Sequence, residues 1–556
     1  MTSSATGAAH RQCRCVRRTL VLVWTSVLLG MLTSLALAAR VVWDAGDLHD
    51  GTWALAAQNL VRRSYAILPF TATVWLVGLV LAAVAARRWP RWPEVERLVR
   101  PWCAPVVGLV SAAVLSAWGV ALVGAARLGA GSDAPNVILV VVDTLRADHV
   151  GCYGSTRQAT PHSDALAREA FVFQRAYSAA PWTRPAVASV LTGTTPFAHG
   201  ITAERLHHAL APRVLTLQEY LRNEGYWTHA LLTNPHYRLG IDQNFDQVSY
   251  CGNCSADAVY TQATRFVRAH RGGPFFLLIH NNDPHDSYDH HEGFSTTPAR
   301  SSYRSLGPLL PARDRDVELD STSNIQGTVI LDAAALEELT RNYDGEIAFL
   351  DHHLGRFVDV LRERRLLDRT ILAITADHGE EFLDHGGYGH GGTLFEELLR
   401  IPLILRVPGR DGGVISTRVS TVDLFATLAD LTRGHPPAAP HSAGRSMRPL
   451  LDGQVRPAAP IFAASAFRSR LKYSVIDGDY KLMVYASGEA IGLFNVLEDP
   501  GERRDLHRVE GARTQALRRV LAAHMAATQR DGEARPAARL EASEREQLRS
   551  LGYEID

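Results

Sequence analysis

Three transmembrane helices, an α/β sandwich around a mainly parallel central sheet and a smaller C-terminal subdomain make up the fold class the sequence predicts. Three observations predict it. Residues 1–130 hold three nearly uncharged stretches; from Pro135 onward short apolar runs alternate with amphipathic ones; and beyond a proline-rich break at Gly434–Arg445 the chain turns to a few strand-like runs and a charged tail. The middle pattern is that of strands alternating with helices.

Thr19–Ala39, Tyr65–Ala86 and Ala104–Ala126 each approach the ~20 residues that cross a bilayer as a helix. Arg11, Arg14, Arg17 and Arg18 precede the first span, and Arg87, Arg88, Arg91, Arg97 and Arg100 separate the second from the third. Positive charge stays in the cytoplasm. Both segments are therefore expected inside and everything after Arg127 outside, as a periplasmic or otherwise extracytoplasmic domain on a multi-pass anchor. A cleaved signal peptide would need a small-residue cleavage site before Arg40, and none is convincing there. Basic and acidic residues balance at 58 each, which gives no indication of a nucleic-acid partner. The oligomeric state stays open.

Residues 135–433 are expected to form the catalytic domain. Val137–Val142, Thr228–Thr233, Phe275–Ile279 and Ile371–Thr375 lack polar alternation, as strands covered on both faces do. Ile347, Leu350, Leu354, Phe357 and Leu361 recur at helical spacing, which predicts a helix over Leu336–Arg365. Ser295–Gln326 reads as an insertion over the site or a disordered loop. Cys251 and Cys254, outside the membrane, favour a local disulfide. Residues 434–508 comprise the linker Gly434–Arg445 and a subdomain with strands at Tyr473–Ile476 and Lys481–Tyr485; residues 509–556 read as a charged helical tail.

Open parallel sheets place ligands beyond the carboxyl ends of their strands. Asp143, Asp283-Pro284-His285 and Asp377-His378 all follow a strand candidate closely. Thr183 stands two residues before Pro185 and just ahead of the helix-forming run Ala186–Leu191, so it is expected at the N-cap, where free N–H groups favour an anion. A plain capping threonine is the competing reading. Asp143, Asp377 and His378 together with Thr183 offer three oxygens and one nitrogen to one divalent cation, with manganese or zinc favoured and magnesium or calcium open. A hydroxyl beside such a cation is a competent nucleophile near neutral pH. His285 and His390 are candidates to protonate a leaving oxygen and to hold a non-bridging one, or to bind a second ion. His199, after a Thr-Gly turn, is a further candidate for substrate binding.

Over Pro135–Leu506 these motifs resemble the sulfatase family of the alkaline phosphatase superfamily. The resemblance is carried by Asn136–Asp148 with Gly151-Cys-Tyr-Gly154, Thr160-Pro161, Leu191-Thr192-Gly193, Asp283-Pro284-His285, Ala376–Glu380, Glu396-Glu397 with Ile401-Pro402, Phe494-Asn495 with Asp499-Pro500 and Glu502, and the ending Leu548–Tyr553. It implies an alkaline-phosphatase/sulfatase-like fold and a divalent metal. Formylglycine-dependent members carry a C/S-x-P-x-R pattern where this chain has Thr183, Pro185 and Val187, so no formylglycine is expected. Thr144 stands in place of a second Asp ligand, His378 of the usual Asn, and His390 of an expected Lys.

In those departures the site is similar to lipoteichoic acid synthase and the lipid A phosphoethanolamine transferases. That similarity implies attack by Thr183 on a phosphodiester, a phospho-threonine intermediate, and transfer to water or an acceptor hydroxyl. Three readings follow. The first is a membrane-anchored hydrolase or transferase acting on phosphate or sulfate esters. The second is a phosphoethanolamine or glycerophospho-transferase that modifies envelope lipid or glycan. The third is a non-catalytic domain that binds an anionic glycan.

Overall fold

The computed structural model describes residues 134–550 except 203–208, 253, 271, 287, 289, 296–332, 434–443, 468–469 and 529–541. The spans expected at 19–39, 65–86 and 104–126 lie outside the described residues, as do nearly all of the expected insertion and linker. Among the described residues, no helix is long and apolar enough to cross a membrane.

Eight strands make the main sheet, in the order Gly413–Ile415, Phe171–Phe173, Leu403–Arg406, Thr370–Ala376, Asn136–Val142, Phe275–Asn281, Trp227–Leu232 and Gln247–Tyr250. Only Leu403–Arg406 runs against the rest: it is antiparallel to both neighbours, while the other pairings are parallel. The sheet is thus mainly parallel, as expected. Each of the four apolar runs falls on a strand, Thr233 alone lying one residue past its end, and three of those strands occupy the middle of the sheet with every residue buried. Burial on both faces is what removes the polar alternation from their sequence.

The three central strands end level. Val142 is paired with Asn281 on one side and with Ala376 on the other. Whatever follows Val142, Ala376 and Asn281 is therefore delivered to one edge. The long helix Ala333–Glu363 buries Ile347, Leu350, Leu354, Phe357 and Leu361, the face that the spacing marked. Asp351 on the same helix accepts from the N–H groups of His162 and Ser163, at 2.7 and 2.8 Å. It thereby holds the helix Pro161–Ala167 by its N-terminus.

Ile461–Ser465, Lys472–Asp477, Tyr480–Tyr485 and Ala490–Asn495 form a four-stranded antiparallel sheet. Its two faces are both covered, because successive strand residues point to opposite sides. Val475, Leu482 and Leu493 meet Leu517 and Leu521 of the helix Gly511–Thr528. Ile476, Met483 and Phe494 meet Tyr177, Leu394 and Leu399 of the larger part. At that junction Lys481 is fully buried, its Nζ 3.0 Å from Glu502 Oε1 and 3.4 Å from Glu396 Oε1. Glu502 in turn accepts from the Glu396 N–H at 2.7 Å. The described residues all belong to one compact unit. Cys251 and Cys254 are joined in a disulfide.

Candidate active site

Asp143 follows the central strand directly, and its N–H donates to Asn281 O at 2.9 Å. Asp377 follows the neighbouring strand; its Oδ1 accepts from the N–H groups of Thr144 at 3.3 Å and His378 at 2.8 Å. These two bonds fix one oxygen of Asp377. Its Oδ2 is buried with no hydrogen-bond partner among the described residues. Thr144 sits at φ 57°, an unusual conformation for a β-branched residue. Its carbonyl is pinned by Tyr343 Oη at 2.7 Å, and the same hydroxyl accepts from the Arg146 N–H at 3.0 Å.

His378 turns its Nδ1 to Gly379 O at 2.8 Å, so Nε2 faces the carboxylates. That nitrogen is 3.4 Å from Asp143 Oδ1 and 3.6 Å from Asp377 Oδ2. Thr183 Oγ1 completes the group, 3.4 Å from His378 Nε2 and 3.5 Å from both oxygens of Asp143. The four residues singled out as ligands are thus brought together, and all are fully buried.

Thr183 does not cap its helix. The cap is Trp182, extended at φ −156°, and Thr183 is the first residue of Thr183–Thr192. Trp182 is fixed by rings on two sides, with centroids 5.7 Å from His236 and 5.1 Å from Phe467. At this first helical position its hydroxyl faces Asp143 and His378.

Two residues in the group were missed by sequence reasoning. His280 belongs to the strand Phe275–Asn281; its Nδ1 is 3.0 Å from Thr233 Oγ1 and its Nε2 is 3.7 Å from Asp143 Oδ2. Asp143, His280 and Asp377 each present a ligand atom within 4.8 Å of the others. Asn234, two residues past the strand Trp227–Leu232, donates to Asp143 Oδ2 at 3.1 Å. The signal for Asn234 was the rule that found Asp143, applied to the one remaining strand end; His280 lies inside the strand Phe275–Asn281, where that rule does not look.

His285 and His390 stand side by side with ring centroids 4.9 Å apart, and His390 is 4.6 Å from His378. His390 Nδ1 is 2.9 Å from buried Glu380 Oε1. His285 Nδ1 is held by Asp286 O, and its Nε2 has no hydrogen-bond partner among the described residues. Gly391 near His390 has a structural reason: at φ +90° an added Cβ would lie 2.7 Å from the Phe467 ring. His199 is buried, with its Nε2 2.9 Å from Ser189 Oγ on the neighbouring helix and its Nδ1 accepting from the Ile201 N–H at 3.2 Å.

Burial raises Asp377 well above the usual carboxylate range, and the neighbouring charge of Asp143 adds to it. Burial likewise pushes Asp143 up to about 6 against the opposing pull of His285. Burial and His390 hold His378 well below the normal imidazole value, and burial brings His280 down to about 3. His285 goes the other way: burial lowers it, but Asp143 and Glu380 outweigh that and raise it. Two paired carboxylates and two neutral imidazoles with lone pairs turned inward make a buried group short of positive charge. With unsatisfied Asp377 Oδ2 and His280 Nε2, the donor set suits a divalent cation that takes nitrogen and oxygen.

A family model described as Sulfatase matches residues 135–435. The chain is similar to a Delta 4,5-hexuronate-2-O-sulfatase of Bacteroides thetaiotaomicron, 25% identical over 458 residues that cover 73% of this chain and 90% of that protein. It is also similar to a choline-sulfatase of Rhizobium meliloti, 25% identical over 70% of this chain and 86% of the relative. Among solved structures, the phosphonate monoester hydrolase of Agrobacterium radiobacter superposes with a TM-score of 0.58, at 19% identity over 73% of this chain and all of that one.

Proposed function

The chain belongs to the sulfatase family, and from that premise we propose that it is a metal-dependent hydrolase or transferase that cleaves phosphate diesters with Thr183 as nucleophile. The observation that carries this reading is the hydroxyl of Thr183 standing 3.4–3.5 Å from His378 and Asp143. Asp143, Thr183, Asp377 and His378 would hold one divalent ion, with His280 at hand as a fifth group. Bound there, the ion supplies charge that lowers the hydroxyl pKa and neutralises the ester anion.

Thr183 Oγ gives its proton to Asp143, towards which the hydroxyl donates, and attacks phosphorus; the Oγ–P bond forms, and the bond to the leaving oxygen breaks. That oxygen takes a proton from His285, whose raised affinity beside Asp143 and Glu380 suits a general acid. His390, oriented by Glu380, then faces a non-bridging oxygen. Water or an acceptor hydroxyl next attacks the phospho-threonine, giving its proton to His285, and Thr183 Oγ leaves and takes back the proton held by Asp143. Val187 in the position of the family's Arg, and a threonine in place of a formylglycine precursor, favour this route over sulfate hydrolysis by an aldehyde hydrate. The relatives include both sulfatases and a phosphonate monoester hydrolase, so sulfate and phosphonate monoesters are the alternative substrates. Transfer to an envelope lipid or glycan, and the extracytoplasmic anchor, rest on the sequence alone.

Purified full-length protein, assayed with bis-nitrophenyl phosphate, nitrophenyl phosphate, a phosphonate monoester and nitrophenyl sulfate, with added manganese or zinc, tests the proposal. Diester turnover that disappears in Thr183→Ala is the expected result. Equal rates in variant and wild type would exclude the nucleophile; turnover of sulfate alone would exclude the substrate class.

A further inference from the structure

Asp283, His291 and Glu346 form a second buried group, made of other residues than those above. Asp283 lies just beyond the strand Phe275–Asn281, and Glu346 on the helix Ala333–Glu363. One ligand atom from each lies within 4.8 Å of the others. His291 Nε2 is 2.9 Å from Glu346 Oε2, and the His291 ring is stacked on Phe349 at 3.7 Å between centroids. The imidazole is therefore held in place by carbon packing as well as by the carboxylate.

Asp283 is the residue that an ion pair does not explain. Its carboxylate accepts the Ala256 N–H at the start of the helix Ala256–Ala269. The other oxygen, Oδ2, is buried and has no hydrogen-bond partner among the described residues; the residue as a whole is 8% exposed. His291 and Glu346 can balance each other, but a third ionisable group with an unsatisfied oxygen beside them is costly to bury. In the protein alone, burial and then the charge of Glu346 push the Asp283 carboxyl up to about 8.

We propose that Asp283, His291 and Glu346 bind a second divalent cation, of the zinc or manganese class. One imidazole nitrogen and two carboxylate oxygens are a donor set such ions take, with water completing the shell. Tetrahedral ligands ~2.1 Å from zinc stand ~3.4 Å apart, and the three atoms, all within 4.8 Å of one another, would close on an ion at that spacing. The ion ties the segment that carries His285 to the long helix, and so acts on the position of that imidazole.

Zinc alone is the probe. Chelator-stripped full-length protein, dialysed to equilibrium against zinc, takes up two equivalents; His291→Gln and Glu346→Gln each take up one, and Asp377→Asn loses the other. Uptake of two by both Gln variants, or of one by wild type and none by Asp377→Asn, overturns the second site without bearing on the first. Should a variant fail to fold, zinc-edge anomalous diffraction from wild-type crystals decides: a peak among the three side chains is expected, and its absence at saturating zinc refutes the site.

Discussion

Replacing Lys481 by Met removes the single cation between two buried carboxylates. Its Nζ stands 3.0 Å from Glu502 Oε1 and 3.4 Å from Glu396 Oε1, with no part of the side chain exposed. At an effective dielectric of ~20 each contact is worth about 5 kcal/mol in Coulomb energy. Desolvation of the three groups offsets most of that, and breaking such a buried pair from one side costs about 3–5 kcal/mol. Even with the lysine present, burial pushes Glu502 up to about 7. Without it that value rises further and Glu502 takes its proton already above neutrality, so the loss should be larger at pH 8.5 than at pH 6. Urea unfolding of full-length wild type, Lys481→Met and Lys481→Met with Glu502→Gln at both pH values measures this. The double variant should recover most of the loss. A single-variant loss under about 1 kcal/mol at pH 8.5, or no recovery in the double, would refute the reasoning.

His229 is pushed down to about 3 by burial and then by His270. The unfolded chain therefore binds the extra proton from about pH 6.5 downward, and stability falls by about 1.4 kcal/mol per pH unit below that value. His229→Gln should flatten the melting temperature between pH 7 and pH 5, and parallel slopes would rule the histidine out. Gly379 has no room for a side chain, since an added Cβ would lie 1.9 Å from Glu397 O. Gly379→Ala must move the backbone that holds His378, and a displacement of ~1 Å near a reacting centre costs up to about 100-fold in rate. Full activity in that variant would mean that His378 is not held through this segment.

The strands that build the sheet's centre were legible because complete burial writes itself as an unbroken apolar run. The long helix was legible because one buried face repeats at helical spacing. Asp143, Asp377 and His378 followed from strand ends, and Thr183 from the helix after it. His280 was hidden because it still belongs to a strand: the apolar run stops at Ile279, while pairing continues through His280 and Asn281. Asn234 was hidden because a polar residue after a strand is most often an ordinary turn. The cap position of Thr183 was off by one, since nothing local announces that buried Trp182 takes that place. The antiparallel strand Leu403–Arg406 reads like its parallel neighbours, because direction leaves no mark on three buried residues and a half-buried arginine.

The common finishing line of the central strands also bears on how this protein can change. The proposed cation ligands hang from adjoining strands in strict alignment, so inserting or deleting one residue within any of them would carry its ligand ~3.3 Å along the sheet and turn it to the opposite face. The helix that presents Thr183 enters from outside that alignment. Spacing in the strands is thus frozen, while the residue at the helix start can be exchanged without disturbing the others. In such a scaffold a new chemistry can arise from a single codon.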